Sequence, residues 1–176
     1  MPRDTFHSPT YGQLAESAVI GKIRHFIDSK REREYRLIIG TDSLPSNGTG
    51  SYLVTAIVLH RVGNGGIYFW QRNMRRGLHS LRDRMYAEAL ASISMAQRLE
   101  KQAALRELIR TNLEIHVDIG EDGPTREMIH EIVGMIAGYG YSAKIKPDSY
   151  AASKVADRHT IPGPRLVPVP VLINSR

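Results

Sequence analysis

Four carboxylates in this chain fall where a carboxylate is hard to explain as surface decoration. Asp42 follows the apolar run Leu37-Ile38-Ile39 in "YRLIIGTDS", and Asp118 follows the alternating Leu113, Ile115 and Val117 in "LEIHVDIG". Each would end a buried strand, where an unpaired charge costs several kcal/mol. Glu88 lies in a long helical stretch. At 100° per residue, Leu81, Met95 and Leu99 fall within about 20° of it and Ser92 within about 40°, so the acid sits in the middle of an apolar stripe. Asp157, in "KVADRHT", adjoins a small apolar face of Ala151, Ala152, Val155 and Ala156. Two carboxylates about 4 Å apart repel by about 4 kcal/mol at an effective dielectric near 20, so a cluster of them requires protons or cations. Two Mg²⁺ or Mn²⁺ ions would balance four carboxylates, and hard divalent cations prefer oxygen ligands. A pair of such ions roughly 3.5–4 Å apart is suited to activating water and stabilising the leaving oxygen of a phosphodiester.

Each acid has an ordinary alternative. Glu88 could mark the edge of its stripe and pair with Arg84 at i−4. Asp157 could be a solvated surface acid beside Lys154 and Arg158. Asp148, in "PDSY", is either a helix cap or a competitor of Asp157 for the fourth position. Asp122, just before Gly123-Pro124, reads as a cap. His116 shares a strand face with Asp118 and reads as a hydrogen-bonded core histidine, with a supporting role beside the acids as its alternative.

The elements that must position these acids follow from periodicity. Leu14, Val19, Ile23, Phe26 and Ile27 predict a first helix over residues 11–30. A strand at 35–41 precedes a turn-rich loop at 43–51. Strands at 52–61 and 66–72 flank "VGNGG", a hairpin signal. Residues 78–110 contain no Gly or Pro and read as one long helix or two abutting ones. A strand at 113–120, a helix from Thr125 to about Ala137, a short strand at 139–147 and a helix at 148–160 complete the order. Three antiparallel strands followed by alternating helix and strand predict an α/β fold with a mixed five-stranded sheet flanked by helices. A single domain is expected over 1–160, with a Pro-rich tail at 161–176.

The chain has 176 residues, a hydrophobic fraction of 41% and a charged fraction of 24%, an ordinary globular composition. It has no cysteine, which excludes disulfides and thiolate metal sites. No apolar run approaches a membrane span, and "MPRDTFHSPT" lacks the apolar region of a secretory signal, so a cytoplasmic location is expected. A net charge of +6 suits a polyanionic partner such as nucleic acid, without naming a reaction. Arg72, Arg75 and Arg76, read as a loop in "QRNMRRG", and Lys144 and Lys146, flanking Ile145, are candidates to hold phosphates; their alternative is a solvated basic surface. Tyr68, Phe69 and Trp70 read as sheet core. "GNGG" has no following GK[ST] and is no phosphate loop.

"SPTYGQL", "LIIGTDS", "EIHVDIGEDGPTREMIHEIVGMI" and "KIKPDSYAASKVADRHT" together resemble the YkuK-type family of bacterial ribonuclease H-like proteins, over Ser8 to Thr160. The resemblance implies a ribonuclease H-like fold and metal-dependent hydrolysis of RNA, DNA or an RNA–DNA hybrid. It carries the metal-ligand roles to Asp42, Glu88, Asp118 and Asp157, with Asp42 bridging both ions. A nucleic-acid-binding module that keeps the fold without cleaving is the alternative. Two departures stand out. "TDSLPSNGTGS", after the first acid, is longer than in compact members. No His occurs in "KPDSYAASKVA", where many members of the superfamily carry one, and His159 is poorly placed to replace it.

Overall fold

The computed structural model of the chain describes residues 5–46, 50–121 and 125–160, with the backbone alone at 45, 46, 150–153 and 160. The Pro-rich tail at 161–176 and Asp122 lie outside the described residues. The chain opens with a small hairpin, β1 (Thr5–Ser8) and β2 (Gly12–Ala15), followed by α1 (Glu16–Asp28). Three long antiparallel strands come next, β3 (Tyr35–Ser46), β4 (Gly50–Arg61) and β5 (Gly66–Arg75). Helices α2 (Leu81–Glu100) and α3 (Arg106–Asn112) lead into β6 (Leu113–His116). A 3₁₀ turn at Arg126–Met128 then leads into α4 (Ile129–Gly138), β7 (Ser142–Lys144) and α5 (Tyr150–Thr160).

The mixed sheet has seven strands in the order β2-β1-β5-β4-β3-β6-β7, two more than the periodicity predicts. The additional pair is the N-terminal hairpin, in which Phe6 faces Leu14 across the ladder. Its four-residue strands are too short to carry a period. Leu14 therefore reads as helical by its spacing to Val19, although Gly12 adopts φ 71° and cannot open a helix. The remaining differences lengthen or shorten elements. β3 runs on through Leu44 and Pro45 to Ser46 and β4 begins at Gly50, so much of the expected loop at 43–51 is strand. β5 takes in Arg72 and Arg75, which are strand rather than loop residues. β6 stops at His116, short of Asp118. The 78–110 stretch resolves into α2 and α3, with fully buried Leu105 anchoring the joint.

Alternation gives the sheet two faces. Leu37 and Ile39 of β3, Ile57 and Leu59 of β4 and Phe69 of β5 point into the main core. There they meet Val19 and Ile23 of α1, Ala89, Ile93, Ala96 and Leu99 of α2, and Ile132 and Ile136 of α4. The opposite face carries Ile38, Val54, Ala56 and Val58, covered by Val155 and Ala156 of α5. α2 starts at Ser80 with a reciprocal cap: Ser80 Oγ accepts from the Asp83 N–H, and Asp83 Oδ2 accepts from the Ser80 N–H.

One buried cation fastens α1 to the sheet. Arg61, 6% exposed, lies 3.9 Å over the Phe26 ring. Its guanidinium donates to Tyr35 Oη, the Phe26 carbonyl, Ser29 Oγ and Asn64 Oδ1. The positive charge thus meets the last carbonyls of a helix, where it is favoured. Arg61→Met is expected to destabilise the protein by about 2–3 kcal/mol, because it orphans these acceptors and loses the ring contact. The midpoint of urea denaturation checks this, and a shift below a few tenths of a kcal/mol would contradict it.

Candidate active site

β3 and β6 are neighbours and run parallel, with Leu37 opposite Leu113, Ile39 opposite Ile115 and Gly40 opposite His116. Continued by two residues beyond the end of β6, that register would bring Asp42 level with Asp118. β6 ends at this step while β3 continues, so both half-buried carboxylates stand where the sheet narrows. Across the ladder, Asp42 is in register with Val54 of β4, and Val54 with Arg72 of β5.

Glu88 reaches the same place from the other side of β3. The middle of the α2 stripe faces the sheet, and Glu88 is 1% exposed rather than at the stripe's edge. Ser43 Oγ donates to its Oε1 at 2.5 Å, and among the described residues its buried Oε2 has no hydrogen-bond partner. One turn along α2, Ser92 Oγ lies 2.8 Å from Thr41 Oγ1, which lies 3.0 Å from Thr55 Oγ1. Thr41 and Ser43 are two apart on a strand and Glu88 and Ser92 four apart on a helix, so a polar stripe on each element meets its counterpart. Sequence reasoning singled out only Glu88 from this set. The matching spacings of Thr41/Ser43 and Glu88/Ser92 were the signal for the rest.

Burial raises the Glu88 pKa to about 8; the Ser43 hydrogen bond opposes the rise, Asp42 and Asp118 add to it, and Arg84 opposes it. Two of the other acids, Asp42 and Asp118, therefore act on Glu88. At pH 7 Glu88 is mostly protonated, which is one of the two ways a carboxylate cluster is tolerated. The other way is a cation, and Asp118 already has one: Lys146 Nζ lies 3.0 Å from its Oδ1. The Lys146 side chain crosses Gly120, where a Cβ would come within 3.1 Å of the Lys146 Cβ, and its backbone N–H donates to the Ile119 carbonyl. This ion pair is half open to solvent and contributes at most about 1 kcal/mol.

The fourth acid, Asp157, is exposed on α5, one residue beyond Ala156, which packs on Val54 and Ala56. Its competitor Asp148 is also exposed. Among the described residues, no three acid or imidazole side chains lie together as a ready metal-ligand set. Glu88 is engaged with Ser43 and Asp118 with Lys146. The donor chemistry nevertheless suits a hard divalent cation: a buried carboxyl with one orphaned oxygen lies within electrostatic reach of two further carboxylates.

The histidines are occupied elsewhere. His116 is buried, with Nε2 3.1 Å from Glu114 Oε2 and the Ser149 backbone on its other side; burial lowers its pKa despite Glu114. It is a hydrogen-bonded core histidine. His159 stacks on Trp70 at 4.4 Å, and burial, then Arg158, Arg72 and His7, push its pKa down to about 4. It is neutral at pH 7 and seats the end of α5 on β5. Phe69 is fully buried, and Tyr68 and Trp70 pack under α5, so all three serve the sheet as expected. Of the basic candidates, Arg72 donates to the His159 carbonyl, Arg75 and Arg76 are exposed, Lys144 is half-buried beside His116, and Lys146 is the partner of Asp118. Among the described residues no helix is long and apolar enough to cross a membrane.

Comparison with known proteins agrees with this architecture. A ribonuclease H-like family profile matches residues 18–161. The chain is similar to a Bacillus subtilis (strain 168) protein named only as uncharacterized protein YkuK. The two are 31% identical over 169 residues, covering 88% of this chain and 96% of that protein. No solved structure matches significantly. With a strand order of 5-4-3-6-7 at its centre and a profile match across most of its length, the chain belongs to the ribonuclease H-like family, in its YkuK-type branch.

Proposed function

We propose that the protein is a divalent-metal-dependent nuclease that hydrolyses phosphodiester bonds in RNA, DNA or an RNA–DNA hybrid. The observation that carries this reading is the Glu88 carboxyl, buried in an apolar stripe with one oxygen unpartnered and set against Asp42 and Asp118. A structural core has no use for such a group, whose burial is unfavourable unless a cation or proton is supplied. Asp42, Glu88 and Asp118 would hold Mg²⁺ or Mn²⁺, and Asp157 would complete the set from α5. When bound, the metal supplies Lewis-acid polarisation of the phosphoryl oxygen and a nucleophilic water at neutral pH.

The chain's own groups have separate tasks. Ser43 holds Glu88 Oε1 in place and leaves Oε2 for a ligand. Lys146 neutralises Asp118, and giving up that pair to a bound metal would lose little because the pair is half exposed. Arg75 and Arg76 are placed to attract the phosphate backbone. A binding module that does not cleave is a second reading, favoured by the Lys146–Asp118 pair, since an internal ammonium can replace a metal as the counter-charge.

Two measurements separate them. Millimolar Mn²⁺ or Mg²⁺ is expected to raise the melting temperature by several degrees through ligand linkage, more at pH 8 than at pH 6 because the ion competes with the Glu88 proton. Cleavage is then assayed on labelled RNA, single-stranded DNA, hybrid and branched DNA. No thermal shift at any pH, with no cleavage of any substrate, would reject the nuclease.

A further inference from the structure

The three long strands continue past the acids and carry an apolar shelf. Two residues beyond the row Asp42–Val54–Arg72, the ladder places Leu44 opposite Tyr52 and Tyr52 opposite Met74. Alternation puts all three on the face that carries Asp42 and Arg72. Ala156 covers Val54 and Ala56, whereas among the described residues Leu44, Tyr52 and Met74 belong to no core cluster. Met74 is 53% exposed, and Leu44 and Tyr52 are half-buried. Two residues of strand separate this row from the Asp42 row by about 7 Å.

The charge around the shelf identifies what would cover it. The Arg72 guanidinium lies 5.6 Å from the centre of the Tyr52 ring, and exposed Arg76 follows Arg75, the last residue of that strand, whose own side chain alternates to the opposite face. An aromatic ring beside a guanidinium suits a nucleobase with its attached phosphate, the recurrent arrangement for single strands. Apolar protein partners would not call for the arginines. A base inside a duplex has no free face to offer, so the shelf favours an unpaired nucleotide.

We propose that Tyr52, with Leu44 and Met74 beside it, stacks an unpaired base and thereby directs a single-stranded segment to the acids. The proposal rests on the nucleic-acid reading above and narrows its substrate class. Fluorescence anisotropy tests it with a labelled single-stranded oligonucleotide and a blunt duplex of the same sequence, both in EDTA so that binding is read without cleavage. Tyr52→Ala is expected to weaken single-strand binding about tenfold or more and leave duplex binding unchanged. Tyr52→Phe keeps the ring and is expected to bind as the parent does. Unchanged single-strand affinity in Tyr52→Ala would overturn the proposal, as would an equal loss on both ligands or a failure of Tyr52→Phe to bind. The two readings fail separately. If no substrate is cleaved while Tyr52→Ala loses single-strand binding, hydrolysis is rejected and the shelf stands. If cleavage needs Asp42 and ignores Tyr52→Ala, the shelf is rejected and hydrolysis stands.

Discussion

Glu88→Gln is expected to make the metal-free protein more stable than the parent at pH 9 and nearly equal to it at pH 5. In the folded protein Glu88 keeps its proton up to about pH 8, whereas in the unfolded chain it ionises near 4.5. Between those values the folded state binds the extra proton, so raising the pH favours unfolding. The parent therefore loses stability as pH rises from about 4.5 to about 8 and loses no more from this group above that. Each unit of pKa separation corresponds to about 1.4 kcal/mol, so the difference at pH 9 amounts to several kcal/mol. Glutamine does not titrate and can still accept the Ser43 hydrogen bond. Urea denaturation of both proteins at pH 5, 7 and 9 in EDTA checks this, because other titrations cancel in the difference. Parallel pH profiles would mean that Glu88 is ionised in the folded protein.

Asp42→Asn is expected to reduce metal-dependent cleavage by roughly three orders of magnitude, the equivalent of about 4 kcal/mol of transition-state stabilisation. The same change should leave the protein folded and more stable at alkaline pH. Asp42 raises the Glu88 pKa, so removing its charge lowers that pKa and narrows the pH range over which stability is lost. The opposite signs of these effects matter: lost cleavage with gained alkaline stability separates a missing ligand from a damaged fold. Cleavage that persists in the variant would place the chemistry elsewhere or in a contaminant.

The acids differ in how plainly the chain announces them. Asp42 and Asp118 follow apolar runs that cannot be surface, and the parallel register of β3 with β6, continued by two residues, would bring them level. Glu88 was legible as a charge in the wrong part of an apolar stripe, and its burial follows from that angle. Asp157 was ambiguous because neighbouring Lys154 and Arg158 give it an ordinary surface context, and α5 leaves it exposed. Strand extents were less readable. Pro45 normally breaks a strand, yet beyond Gly40 β3 has lost β6 and become an edge, where a missing N–H is tolerated. Local composition does not reveal when a neighbouring strand stops. For the same reason the pairing of Asp118 with Lys146 was invisible, since Gly120 and Ile119 bring that lysine across only after folding.

The early end of β6 also limits how such a protein can diverge. Asp118 lies two residues beyond the short parallel ladder of β6 and β3, so its distance from Asp42 depends on where that ladder ends. Adding or deleting one residue between Leu113 and Asp118 would move that carboxyl by about 3.3 Å and turn it to the other side of the sheet. Length variation should therefore collect outside that interval. The five-residue interval from Leu113 to Asp118 should stay constant in every relative that retains both acids.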